Sequence, residues 1–329
     1  MYEYMKKERT STFLLLIMLC ITASAQKEHK QPHGNAIVQI FTNFHSGFGS
    51  VNDDRGFELD RSYLGYEYRF SRSLSIKGVL DIGRSSDVGD YQRIAYIKNA
   101  MVSWKHHRLR LDAGLIGTTQ AAFQESFWGY RYIYKTYQDQ YMFCNSADLG
   151  VSFAYSFAPW IEADLIVANG EGYKRIQDGD GLMYGAGATI NPLKGLYMRF
   201  YAGIDESSKG KSNIINYAMF AGYRYKWFSL GLEYNIIRNF QGTKGNNRYG
   251  FSLYGTASLN RWLRLYARTD GLMSGSELSK EAEEILILAG AEFRLGKYIR
   301  IAPNFRTIIP KADSRKNAYY GFISCYFGI

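Results

Sequence analysis

The sequence contains little cysteine and proline, and it lacks long hydrophobic runs beyond its first residues. Its 329 residues include only 3 Cys and 5 Pro. So few cysteines exclude a disulfide-stapled scaffold, and a polytopic helical membrane protein would need repeated apolar runs of ~20 residues. Disorder is also disfavoured, because 28 Tyr, 20 Phe and 5 Trp provide ample apolar surface to bury.

The first 25 residues have the organisation of a secretory signal peptide. Basic residues precede an apolar core over 13–22, and Ala23-Ser24-Ala25 has the small-x-small form of a cleavage site. The apolar core is too short for a transmembrane helix. We therefore expect cleavage near Ala25/Gln26, which leaves a short periplasmic tail over 26–34 and places the mature chain outside the cytoplasm.

From residue 35 to the end, apolar and polar residues alternate. One face of the segment 74–82 carries Leu74, Ile76, Leu80 and Ile82, and the other carries Ser75, Lys77 and Asp81. The same period returns in 149–157 and 228–236. A period of two predicts strands with one apolar and one polar face. The segment 93–105 alternates poorly, so its boundaries are the weakest.

The links between the predicted strands fall into a short set and a long set in strict alternation. Links such as 106–107 and 296–297 are very short, whereas those centred near 131 and 175 are long. Outer-membrane barrels have this organisation, with short periplasmic turns and longer external loops. We predict an all-β fold, a transmembrane antiparallel barrel of about sixteen strands over 35–329. Counts of fourteen and eighteen stay open, since one hairpin could be split or fused.

Four tryptophans lie within three residues of a predicted short turn. They are Trp104, Trp160, Trp227 and Trp262. Amphipathic rings concentrate at the boundary between membrane and water, so these residues predict a periplasmic aromatic girdle. The alternative is that they are ordinary core anchors of a soluble β domain.

The polar faces of a closed barrel turn inward. The predicted lumen lining includes Lys77, Arg199, Arg224, Arg264, Arg268 and Arg294. So many charges could not be buried in a dry core, and sixteen strands leave room for an aqueous channel. Basic residues outnumber acidic ones on these faces, which predicts a water-filled pore with a modest preference for anions.

The longest link, over 118–145, is rich in Phe, Tyr and Trp. A long segment this aromatic is unsuited to solvent, so we predict that this third external loop folds inward and narrows the channel. The expected constriction combines the loop residues Glu125, Arg131, Lys135 and Asp139 with Arg108 and Arg110 on the facing wall. The alternative is a loop that caps the barrel or packs against a neighbouring protomer, and whether it gates stays open.

Three stretches resemble the phosphate-selective porin O and P family. They are Phe57–Tyr68 (FELDRSYLGYEY), Phe123–Ile133 (FQESFWGYRYI) and Ser146–Gly150 (SADLG). The resemblance implies a trimeric barrel that allows passive diffusion with an anion preference and is inserted by the barrel-assembly machinery. Phosphate-selective members carry lysines clustered at the constriction, where this loop offers Lys135 beside Arg131.

The residues indicate no enzyme, because no nucleophile and base are paired, and no cofactor or metal centre is predicted. Asp178-Gly-Asp-Gly181 resembles the opening of a calcium loop but lacks the closing acid, so a surface turn is the interpretation and weak external calcium binding stays open. Basic residues alternate along strands instead of forming one patch, which disfavours nucleic acid. We expect an outer-membrane porin for small hydrophilic or anionic solutes, in contact with membrane lipid. The alternative is a non-conducting barrel acting as a receptor, adhesin or assembly scaffold.

Overall fold

The structure is a computed structural model that describes residues 32–49, 52–84, 92–177, 179–207 and 210–329. The predicted signal peptide and most of the predicted tail lie outside these residues. Sixteen antiparallel strands form one closed barrel, in which each strand pairs with its neighbours along the chain and β1 pairs with β16. The predicted fold and strand count are therefore confirmed.

The strands in chain order are β1 His33–Phe48, β2 Arg55–Arg69, β3 Leu74–Arg84, β4 Arg93–His106, β5 Leu109–Gly117, β6 Ala147–Ala158, β7 Ile161–Ala168, β8 Met183–Ile190, β9 Leu196–Asp205, β10 Ile214–Arg224, β11 Phe228–Arg238, β12 Arg248–Ser258, β13 Leu263–Ser274, β14 Glu284–Leu295, β15 Ile299–Pro310 and β16 Ala318–Gly328. Two helices, α1 Thr119–Trp128 and α2 Tyr137–Gln140, lie in the third long link, which we call L3 (118–146). Short segments of 3-10 helix occur at Phe240–Gly242 and Glu277–Ala282. No helix among the described residues is both long and apolar enough to cross a membrane.

The alternation of side chains gives the barrel an apolar exterior and a polar lumen. In β11, Leu232 points outward and is 50% exposed, whereas Glu233 points inward and is 2% exposed. Outward Leu230 and Leu253 are also exposed. Since the ladder closes between β1 and β16, no edge of the sheet is left with unpaired backbone groups. An apolar belt on a closed barrel suits a lipid surrounding.

A bulge explains the poor alternation of the segment 93–105. The register between β3 and β4 shifts after Val79, so that Val79 pairs with Asn99 while Leu80 pairs with Ile97. Lys98 is the additional residue between these two pairs, and its ammonium group lies in the lumen, 3.1 Å from the Tyr63 hydroxyl. A bulge of this kind redirects a side chain without breaking the sheet.

The short turns all lie at one end of the barrel, and the four predicted girdle tryptophans lie there too. Trp160, Trp227 and Trp262 are exposed on the outside of this rim. Trp104 stacks on His106, with ring centroids 5.6 Å apart. The placement fits a girdle at one membrane interface, and the girdle itself stays a prediction.

Leu232 and Leu295 provide a matched test of the lipid-facing surface, because both point outward but at different depths. Leu232 lies in the middle of β11, whereas Leu295 ends β14 beside a short turn. We expect Leu232→Arg to lower the free energy of unfolding by about 2–4 kcal/mol and Leu295→Arg by about 1 kcal/mol or less. Urea titration in lipid vesicles measures both values. Equal costs at the two positions would contradict a membrane centred on the barrel wall.

Candidate pore and constriction

L3 folds into the barrel and packs its aromatic side chains on the far wall, as the sequence predicts. The ring of Phe127 lies 4.6 Å from that of Phe220 on β10, and the ring of Trp128 lies 5.1 Å from that of Tyr254 on β12. Trp128 is 2% exposed. Such edge-to-face pairs contribute beyond the burial of their area. The loop therefore has a packed core of its own inside the lumen.

Glycines in the wall leave space for the loop. A Cβ atom at Gly222 would lie 2.5 Å from the Phe127 ring, and one at Gly250 would overlap the hydroxyl group of Tyr137. Both glycines occupy inward positions of their strands, where any side chain would displace the loop. The wall and L3 are therefore complementary in shape.

Buried hydrogen bonds fix the loop further. The Gln138 side-chain amide donates to Asn235 at 2.8 Å and to Asn216 at 3.2 Å. The Tyr132 hydroxyl donates to Glu292 at 2.7 Å. The removal of either partner would leave a buried polar group unsatisfied, at a cost of about 1–3 kcal/mol. These bonds hold L3 against the strands β10, β11 and β14.

Most lumen arginines are neutralised by a carboxylate. The ion pairs are Arg61–Asp81 (2.7 Å), Arg110–Asp112 (2.8 Å), Arg199–Asp164 (2.6 Å), Arg268–Asp270 (2.7 Å) and Arg294–Glu292 (2.5 Å). In three of them the partners are two residues apart, a spacing that puts both side chains on the same face of a strand. A close ion pair presents little net charge to a passing solute.

Three lumen lysines, unlike these arginines, are not held in ion pairs with described carboxylates. Within the described part of the chain, no carboxylate lies within 4.0 Å of Lys77, Lys98 or Lys135. The Lys98 ammonium group sits 4.5 Å above the Tyr63 ring, a favourable cation–π arrangement that leaves its charge in place. These lysines therefore supply uncompensated positive charge to the lumen.

Two of the lysines line cavities of the lumen, and the third lies on the wall between these cavities. The cavity on the side of the long loops, which we call the external vestibule, has a volume of about 470 Å³ and is lined in part by Arg61, Lys135 and Asp139. The cavity on the side of the short turns has a volume of about 360 Å³ and is lined in part by Lys77 and Arg110. Lys98, on the bulge, belongs to the stretch of wall between them.

The four predicted constriction residues of L3 come together, and three of them form a linked set of ion pairs with one excess carboxylate. Arg131 pairs with Glu125 at 3.2 Å and with Asp139 at 2.9 Å. Lys135 is the member without a carboxylate partner among the described residues. Its backbone carbonyl accepts a hydrogen bond of 2.8 Å from Arg268.

The wall residues expected opposite L3 need correction. Arg108 lies exposed in the turn before β5 and donates to the carbonyl group of Phe157 at 2.8 Å. Arg110, at the lower end of β5, pairs with Asp112 and lines a cavity together with Phe123 and Phe127 of α1. Arg110 therefore faces L3, but at α1 and not at Arg131 or Lys135. The wall charges close to Lys135 and Arg131 are instead Arg61 and Lys98.

The predicted lumen arginines hold the loop more than they line an open channel. Arg199 pairs with Asp164 and donates to Gln120 of α1 at 2.9 Å. Arg224 donates to the carbonyl groups of Ser126 and Phe127 at the C-terminal end of α1, where a cation interacts favourably with the helix dipole. Arg264 lies beside Tyr130 of L3, whereas Arg268 and Arg294 belong to ion pairs already described.

Sequence reasoning missed Lys98 as a site residue. The signal was present in the irregular alternation of 93–105, which marks the bulge that turns Lys98 inward. No group of three or more His, Cys, Asp or Glu side chains in the described ranges could hold a metal ion. Asp178 of the calcium-like segment lies outside these ranges.

Comparisons with known proteins find the fold but no sequence family. No protein-family model and no curated protein matches the chain. Salmonella typhi OmpF in complex with daunomycin matches with a TM-score of 0.73 at 11% identity, over 90% of this chain and 97% of that chain. An anion-selective porin from Comamonas acidovorans matches with a TM-score of 0.67 at 11% identity, over 91% and 100%.

The outer membrane channel DcaP of Acinetobacter baumannii matches with a TM-score of 0.68 at 8% identity, over 92% of this chain and 99% of that chain. Identities this low show a shared fold alone. The chain therefore has the fold of outer-membrane porins over nearly its whole length.

Deletion of residues 123–141 tests whether L3 limits the channel. We expect the single-channel conductance in planar bilayers to rise by about twofold or more, because the loop no longer fills the cross-section that sixteen strands enclose. Strand content by circular dichroism checks that the variant folds. A folded variant with the conductance of the intact protein would contradict a constriction made by L3.

Proposed function

We propose that the protein is an outer-membrane porin, a water-filled channel for passive diffusion of small hydrophilic solutes with a weak preference for anions. The observation that carries the proposal is the set of uncompensated lysines, Lys77, Lys98 and Lys135, along the lumen between the two cavities. A sixteen-stranded barrel encloses enough cross-section for an aqueous channel, and L3 packs inside it against strands that include β1, β10, β12 and β13. The arginines are held by carboxylates or by hydrogen bonds to L3, whereas these lysines have no carboxylate partner among the described residues.

The anion preference follows from the sign of this remaining charge. Three ammonium groups raise the local concentration of anions in a narrow, low-dielectric passage without excluding cations. The fold shared with an anion-selective porin is in keeping with this preference. The reversal potential across a KCl gradient tests the proposal, and a preference for K⁺ would overturn it.

We also propose that the chain belongs to one particular porin family, the phosphate-selective porin O and P family. The wall supplies Lys77 and Lys98 in addition to the single lysine of L3, so lysines from three different parts of the chain line the lumen. We propose phosphate as one of the solutes, because its negative charge suits ammonium groups. With membership we also propose a homotrimer, insertion by the barrel-assembly machinery and contact with outer-membrane lipid.

A non-conducting receptor or scaffold would need large external surfaces. The longest described link, L3, is turned inward. Other links at the external end, such as 239–247 and 311–317, are much shorter than L3. The arrangement favours conduction over the presentation of a docking surface. We also propose that the barrel transports solutes and catalyses no reaction.

Lys98→Gln removes one of the three uncompensated charges at the middle of the path. We expect the permeability ratio of Cl⁻ to K⁺ to fall by about twofold, since one charge in a narrow passage changes the local potential by roughly RT. The matched control is Lys244→Gln, in an exposed external link. A Lys98→Gln channel with the selectivity of its parent would exclude a role for this lysine.

Selectivity also depends on pH through Lys135, a loop residue outside the spanning strands. Burial lowers the pKa of Lys135 below its ordinary value more than nearby Asp139 raises it. Lys135 therefore loses its charge at a lower pH than a free lysine, and anion preference should decline as the pH rises from neutral to the ordinary pKa of lysine.

The variant Lys135→Arg should stay cationic over this pH range and retain more of its anion preference at the higher pH. Reversal potentials at the two pH values measure the difference between variant and parent. An identical pH profile in both channels would show that Lys135 does not face the conducting path.

A further inference from the structure

The external vestibule is lined by apolar as well as charged side chains. The apolar set, which we call the apolar shelf, consists of Met142, Met183 and Ile214. Met183 and Ile214 occupy inward positions at the external ends of β8 and β10. Such side chains are unexpected in a passage that carries only hydrated inorganic ions.

Met142 is the most prominent member of the shelf. Its side chain is 60% exposed although its neighbours Tyr141 and Phe143 are buried. Its backbone has a positive φ of 59°, a conformation that favours Gly, Asn or Asp over Met. L3 thus holds an apolar side chain out into the vestibule at a position where a polar residue would suit the backbone better.

Two buried clusters support the shelf from behind. Ile214 packs against a cluster that contains Tyr137 of L3 and Phe240 of another link. Met183 packs against a second cluster, which contains Ile116 and Ile166. Two members of the shelf therefore rest on packed residues, whereas Met142 projects into the vestibule.

Positive charge lines the same cavity. Lys135 and Lys174 contribute ammonium groups, and Arg61 is held by Asp81. Among the carboxylates, Asp139 is paired with Arg131, while Glu171 and Asp205 lie near each other and near Asp148. Lys135, which has no carboxylate partner among the described residues, is the charge best placed to bind an anionic group.

We propose that the external vestibule contains a binding subsite for small organic anions that carry an apolar group. The apolar part of the solute packs on the shelf, where the flexible thioether of Met142 adapts to different shapes, and the carboxylate or phosphate group binds Lys135. A cavity of about 470 Å³ has room for a solute of this size. The proposal deepens the porin function and rests on it for the passage of the bound solute through the barrel.

Three probes separate the parts of this proposal in planar bilayers at neutral pH. Benzoate carries a ring and a negative charge, acetate carries the charge without the ring, and benzylamine carries the ring with a positive charge. We expect benzoate to block the KCl current at a concentration about tenfold lower than acetate, because only benzoate buries a ring on the shelf. Benzylamine should block no better than acetate.

Two substitutions at Met142 locate the effect. Met142→Asn removes the apolar group and suits the positive φ, so the fold is retained while the advantage of benzoate over acetate disappears. Met142→Leu has the same backbone cost but keeps an apolar side chain, and it should retain most of that advantage. Lys135→Gln should weaken the block by benzoate and by acetate alike.

Several outcomes would overturn the subsite. They are equal block by benzoate and acetate in the parent channel, an undiminished benzoate advantage in Met142→Asn, and block by benzylamine as strong as that by benzoate. Calorimetric titration of benzoate into the detergent-solubilised protein distinguishes the two proposals. Binding to a barrel that does not conduct would keep the subsite and overturn the porin, whereas conduction without binding would do the reverse.

Discussion

The whole structure depends on the need to satisfy every backbone hydrogen bond within a lipid surrounding. A sheet meets this need only when its first strand pairs with its last, as β1 pairs with β16 here. Closure then separates the two faces of every strand, so that side chains such as Leu232 face lipid and neighbours such as Glu233 face the lumen. The polar lumen, its charges and the space for L3 all follow from this separation.

Within the lumen, arginines and lysines have different roles. Arginines form close ion pairs or hydrogen bonds to L3, as Arg199 does with Asp164 and Gln120, and their planar donors suit such fixed geometry. Lysines such as Lys98 have no carboxylate partner in the described part of the chain. Arginines thus stabilise the wall and L3, whereas lysines supply positive charge to the lumen.

The sequence predicts the barrel well because a period of two is a local property that any strand displays. It predicts the inward position of L3 for a similar reason, since the loop's aromatic residues need a surface to pack on. Alternation gives the face of a residue but not its height in the barrel, so Arg108 was expected beside L3 although it lies in a short turn, and Arg110 faces α1 instead of Arg131 and Lys135. The sequence did not identify Lys98 as a site residue because a bulge shifts the alternation. It could not predict the hydrogen bonds of Gln138, because their partners lie on strands that are distant in the sequence.

The proposed function requires an open aqueous passage beside a fixed L3. Liposome swelling with the purified mature chain tests this directly, using neutral sugars that no charge selects. The account predicts swelling at a rate that falls as the sugar becomes larger. A correctly folded barrel in the vesicles that admits none of these sugars would contradict it.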